Sequence, residues 1–236
     1  MAVGIVLLFL SFAFLDAVAQ LPKYVGGALS LGGVAFAVSN IIHTVKRVFV
    51  VTYPPLIAIF LLDSQLEDLF SIIYICYFGA ALVTISVYLN RGMAIKMAAR
   101  QVEAFGNGGS LWKIWTWPKI SSFEIEPGIR DQNLDFRIFI SALWIYFFFG
   151  SVFFLINVLG FTLQDYSSVI LQTTGIFNAM GTLVLAFYLD PVLARVFERD
   201  RERAPLAIRS VLWAQFINFA FVSPAFFYLL SFFLFE

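Results

Sequence analysis

Long apolar runs alternate with short charged connections along this 236-residue chain. One run extends from Met1 to about Leu21, broken only by Asp16. A second, Gly26–Leu62, is interrupted by Lys46 and Arg47. Four more cover Phe70–Asn90, Ile138–Gln164, Tyr166–Leu189 and Ser210–Phe235. A helix needs about 20 apolar residues to cross a bilayer, so five of the six runs predict one span each. The second is too long for one span and short for two. Pro54 and Pro55 remove two amide donors from it. The pattern therefore predicts an all-α, polytopic helical membrane protein with six transmembrane helices, the second helix long and broken near Pro54-Pro55. Residues Leu56–Leu62 would form a half-helix or re-entrant piece, because broken backbone at membrane depth is tolerated where it faces protein or water.

Composition agrees. The chain is 61% hydrophobic and 13% charged, against about 25% charged in globular domains. Fifteen basic residues balance fifteen acidic ones, so no nucleic acid is expected as a partner. The distribution of charge carries more than its sum. Seven basic residues lie between Arg91 and Arg137, five between Arg195 and Arg209, and Lys23 stands alone; the other connections carry only acid. Positive charge collects on the cytoplasmic side, which predicts both termini outside the cytoplasm. The expected organisation is a single integral membrane domain over 1–236. A cytoplasmic loop at 91–136 carries interfacial aromatics (Trp112, Trp115, Trp117), and a cytoplasmic basic loop covers 191–209. Met93–Ala104 reads as an amphipathic extension of the third helix. Ala17-Val18-Ala19 resembles a signal-peptide cleavage site, but Met1–Leu10 lacks the basic residues of a signal peptide, so a retained first helix is expected.

Neither a P-loop, an HExxH motif nor a nucleophile elbow is present. Cys76 is the single cysteine and His43 the single histidine. These absences point away from an enzyme, and no catalytic residue, metal or cofactor is expected. The polar residues inside apolar runs are more informative. Asn40, His43 and Arg47 share one helical face, with Lys46 beside it. A cation at membrane depth costs roughly 2.5–3.5 kcal/mol on insertion scales, so Lys46 and Arg47 need a partner or a wet cavity. Asp16 is the natural counter-ion. Three readings stay open: an anion site, an internal pair with Asp16, or snorkelling to headgroups. Asp190-Pro191 is expected to end the fifth span, with Asp190 capping the next helix or lining a pathway mouth. Asn178 in the fifth span, and Gln215 and Asn218 in the sixth, are further polar positions.

Three stretches carry a resemblance. They are Leu15-Asp16-Ala17 leading to Lys23 and Gly26-Gly27; Ala28-Leu29-Ser30-Leu31 followed by a basic position and Pro54-Pro55-Leu56; and Asn178-Ala179-Met180-Gly181-Thr182 through Asp190-Pro191. In this order they resemble the alternate lipid II flippases (Amj) of bacteria, a family distinct from the larger MurJ flippases. The chain departs from that family in lacking a histidine near the start of its first span. The resemblance implies a multi-pass protein of the bacterial cytoplasmic membrane. Its partner would be an undecaprenyl-pyrophosphate lipid carrying the peptidoglycan precursor, flipped between leaflets for cell-wall synthesis. The pair Lys46-Arg47 does not sit squarely on the family pattern; its chemistry suits it as the pyrophosphate ligands, in a hollow between helices. Asp16 and His43 would be counter-ion and coupling groups, and Asn40, Lys23, Asn178 and Asp190 pathway-lining candidates. His43 suits proton coupling because imidazole titrates near neutrality. A homodimer or a laterally open groove would make room for so large a headgroup. The alternatives are a proton-coupled transporter of a small solute and a non-transporting membrane scaffold.

Overall fold

The computed structural model describes residues 1–108 and 133–235, and these are helical almost throughout. The elements are α1 (Ala2–Val18), α2 (Leu21–Leu29), α3 (Gly32–Leu62), α4 (Leu66–Leu89), α5 (Arg91–Gly106), α6 (Phe136–Thr162), α7 (Ser167–Val184), α8 (Asp190–Arg199), α9 (Ala204–Ile217) and α10 (Ser223–Phe235). Six of the described segments are long and apolar enough to span a membrane: α1–α2, α3, α4, α6, the α7–α8 segment and α9–α10. The protein is thus an all-α, six-span membrane protein. Trp112, Trp115 and Trp117 lie outside the described residues.

The reversal between the first two spans lies at Ser30, later than the Leu21–Gly26 connection the sequence suggested. Ser30 adopts the left-handed conformation (φ 58°, ψ 29°). The amides of Ser30 and Leu31 both donate to the Gly26 carbonyl, closing the helix end in the manner of a left-handed C-cap. The chain then reverses into α3. Gly26–Leu29 therefore finishes the first span instead of starting the second. Glycine is required at this reversal: a Cβ on Gly26 would collide with Ala35 Cβ, and one on Gly27 with the Phe197 backbone. Helix α3 then runs unbroken through Pro54 and Pro55. Unwinding it there would strand more backbone groups in hydrocarbon than the two amides proline already lacks. Buried Tyr53 and Ile57 on either side pin the helix to the core.

The described parts of the two cytoplasmic connections are largely helical, as the amphipathic pattern of Met93–Ala104 suggested for the first. Arg91–Gly106 is α5, which folds back on α2 and α3 through Ile95, Ala99 and Val102. The basic segment at 191–209 is α8, a turn at Asp200–Arg203, and the start of α9. The fifth span does not stop at Asp190-Pro191. A π-helical turn at Leu185–Leu189 carries it into α8, with Pro191 in the first turn of α8 just after the π turn has shifted the hydrogen-bond ladder. A second π turn, Asn218–Val222, sits inside span six.

Helix α1 forms the centre of the bundle. It packs on α3 and α4, and Gln215 of α9 donates to its Ala13 carbonyl at 3.0 Å. The Phe9 ring has Tyr53, Tyr77, Phe154 and Phe219 within 5.2–5.9 Å, centroid to centroid, in the tilted and edge-on geometries aromatic quadrupoles favour. Asp135 caps α6 through the amides of Arg137 and Ile138, while its own amide donates to Ser210 Oγ at 2.8 Å. That bond ties the start of span four to the start of span six.

Candidate functional site

The polar interior is built on one stripe of the first span. Asp16, Gln20, Lys23 and Gly27 are spaced four, three and four residues apart, so they lie on one helical face. All four are buried. Asp16 (4% exposed) accepts from Lys46 Nζ (6% exposed) at 2.6 Å. The ammonium also sits over the rings of Phe149 (4.9 Å) and Phe12 (5.5 Å), within the range of cation–π attraction. Two turns along, Lys23 Nζ donates to Asp190 Oδ1 at 2.8 Å, joining spans one and five. At Gly27 the carbonyl accepts from the Arg201 guanidinium at 3.0 Å. The first span is thereby tied in succession to span two, to span five, and to the turn between spans five and six.

Several groups around this ladder are unsatisfied. Asp16 Oδ2, Gln20 Oε1, His43 Nε2 and Gln215 Oε1 are buried without hydrogen-bond partners. Tyr146, buried on α6, lies close enough to the carboxylates of both Asp16 and Asp190 to interact with them electrostatically. Buried polar groups are normally paired, so this column is under-satisfied where it crosses the bundle. A second polar cluster joins spans three, four and six. Tyr77 Oη donates toward Gly150 O and Ser151 Oγ (both 3.2 Å), Ser151 and Ser223 share a 2.8 Å bond, and Ser223 donates to Asn218 Oδ1 at 3.1 Å.

The candidate residues on α3 divide between two faces. The buried stripe is Ser39, Lys46, Val50, Tyr53 and Ile57; it is not Asn40, His43 and Arg47. Each residue advances a helix by roughly 100°, so the true inward face is about one position away from the expected one. Asn40, Thr44 and Arg47 are exposed and share the outer face, and His43 is half-buried at its edge. Lys46 and Arg47 therefore do not share a hollow. Lys46 is neutralised inside the bundle. Arg47 faces outward and makes no ion pair or hydrogen bond among the described residues. A cavity of about 680 Å³ lies on another face of α3, and neither Lys46, Arg47, Asp16 nor His43 lines it.

Lys23 also departs from expectation. It is not a connection residue but a buried cation within the first span, 9% exposed. Asp190 pairs with it instead of capping a helix. The Asn178 side chain lies outside the described residues. No group of three or more His, Cys, Asp or Glu comes together among the described residues. Gln20 was missed by sequence reasoning; its spacing of four from Asp16 and three from Lys23 was the available signal.

No family model matches the chain, and no curated protein or solved structure matches it.

Proposed function

We propose that this chain is a flippase that moves an anionic, lipid-linked headgroup between membrane leaflets. The observation that carries this reading is Arg47. It stands fifteen residues from each end of α3, about 22 Å from either end at 1.5 Å per residue. It is exposed and unpaired on the helix's outer face. Snorkelling serves long side chains near helix ends, and Arg47 is central. A bare guanidinium at that depth is costly unless a mobile anion visits it. The planar fork suits phosphate oxygens. Thr44 and Asn40 extend a polar track along the same face, one and two turns from Arg47.

On this reading the phosphate travels along the α3 surface while the tail stays in lipid, which avoids burying an unpaired charge in hydrocarbon. Helix α3 and span five each pack on α6 and have at most marginal contact with each other, so the headgroup has a lateral approach. Lys46, the neighbouring position, is committed to Asp16 and reaches a phosphate only after that pair opens. His43 and Lys23–Asp190 flank the track, and pairing Lys23 to Asp190 holds spans one and five together between transport cycles. The substrate we propose is lipid II, the undecaprenyl-pyrophosphate disaccharide pentapeptide, in a bacterial cytoplasmic membrane with both termini outside.

The test is genetic and biochemical. Bacteria depleted of their essential lipid II flippase are given this chain, and growth and surface-exposed lipid II are measured. Wild type is expected to restore both, and Arg47→Gln to restore neither at equal membrane abundance. A well-inserted wild-type chain that exposes no lipid II overturns the substrate. An Arg47→Gln variant that works as well as wild type overturns the site.

A further inference from the structure

A second feature stands apart from Arg47 and is independent of the flippase reading. Helices α3 and α4 are joined at one end by the short Asp63–Gln65 connection and pack against each other little, while α1 packs against both. The two helices therefore form a wedge with α1 as its back wall, and α5 crosses the open end. The wedge encloses the cavity of about 680 Å³, inside the roughly 300–1,000 Å³ of small-ligand sites. Away from α5 and the last turn of α4 its lining is wholly apolar, including Val18 from α1, Ile42 and Val45 from α3 and Val83 from α4. Phe14 (48%) and Met93 (56%) are exposed at its margin, so it opens sideways toward lipid.

The polarity of this cavity is one-ended. Ser86, Asn90 and Gln101 are its polar lining residues, from the last turn of α4 and from α5. Helix α5 places Met93, Met97 and Gln101 along the cavity, and on the adjoining face Lys96 and Arg100 follow at helical spacing. Over its length α5 carries Arg91, Lys96 and Arg100 against the single acid Glu103. Lys96 is half-exposed with no ion pair or hydrogen bond among the described residues. A narrow apolar slot, open to the bilayer and ending in amides beside a cationic rim, is complementary to an amphiphile with a negative head. We infer that the α1–α3–α4–α5 wedge binds one acyl chain of an anionic phospholipid, its phosphate at the Asn90–Lys96 end. The leaflet is the one in which α5 lies. The bound chain holds α5 against the bundle by replacing contacts that α3 and α4 do not make with each other.

The full-length protein in vesicles of phosphatidylcholine and phosphatidylglycerol, with a trace of phosphatidylglycerol bearing a photoreactive acyl chain, tests this. Labelled peptides are mapped by mass spectrometry. Labelling is expected to concentrate on Phe14–Leu21, Ile41–Val45 and Met93–Met97, at least fivefold above the lipid-facing Phe232–Phe235 segment. Filling the slot with Met97→Trp, or separately with Ala94→Phe, is expected to remove that excess while leaving the Phe232–Phe235 signal unchanged. If one variant misfolds by circular dichroism, the other decides. Lys96→Gln is expected to lower labelling by the phosphatidylglycerol probe several-fold and to leave labelling by a phosphatidylcholine probe unchanged. Even labelling across all lipid-facing helices, or an excess that survives both filling substitutions, overturns the site. Equal labelling by both probes with no effect of Lys96→Gln overturns the anionic head.

Discussion

The pair Asp16–Lys46 offers a quantitative test of how the interior is built. Both side chains are nearly inaccessible, and their 2.6 Å contact is surrounded by Phe12 and Phe149. Removing one partner of such a pair leaves the other charge buried, which costs about 3–5 kcal/mol. At 1.4 kcal/mol per decade the folded-to-unfolded ratio should fall by roughly two to three and a half decades. Replacing both partners with apolar residues of similar size is often neutral or stabilising. We expect Asp16→Leu and Lys46→Met each to destabilise by that amount. The double variant should lie within about 1 kcal/mol of wild type, giving a large coupling in a double-mutant cycle. Steric-trap unfolding in bicelles reads the free energies directly. Single variants that each lose less than about 1 kcal/mol, with additive effects, would rule out a dry, coupled pair. They would mean that both charges are solvated and the interior is wet.

Further outcomes follow from neighbouring contacts. Lys23→Met should cost about 1–3 kcal/mol, between the exposed and buried limits, because Asp190 keeps a quarter of its side-chain surface. It should also raise hydrogen exchange in the Asp200–Arg203 turn, measurable by mass spectrometry. Gly27→Ala should destabilise by about 1–3 kcal/mol through overpacking, since the added Cβ meets the Phe197 backbone. Thermal unfolding in detergent should show it, whereas Gly33→Ala, with open space around it, should melt as wild type.

The number of spans was legible because hydrocarbon thickness imposes length and composition on every crossing. Positions facing the interior were not. In a soluble helix the polar face marks water, but lipid tails are as apolar as leucine, so the apolar pattern alone does not distinguish lipid from core. That is why Asn40, His43 and Arg47 read as inward when Ser39, Lys46 and Tyr53 are the buried positions. The Asp16–Lys46 contact was anticipated because a buried cation demands an anion and span one holds a single acid. The Lys23–Asp190 contact was not, because the true reversal lies at Ser30, past Lys23. Ser30 has no strong turn signature, whereas Pro54-Pro55 does. At Pro54-Pro55, where the sequence suggested a break within the second helix, the bilayer penalises unwinding inside hydrocarbon, and α3 stays helical.

Arg47, exposed and unpaired midway along α3, is proposed to serve transport and not stability. Lipid II exposure and unfolding free energy should therefore be measured together for Arg47→Gln. The predicted result is loss of exposure with stability unchanged or raised, because a lipid-facing cation has been removed. Loss of stability comparable to that of Asp16→Leu, or full transport without the guanidinium, would contradict it.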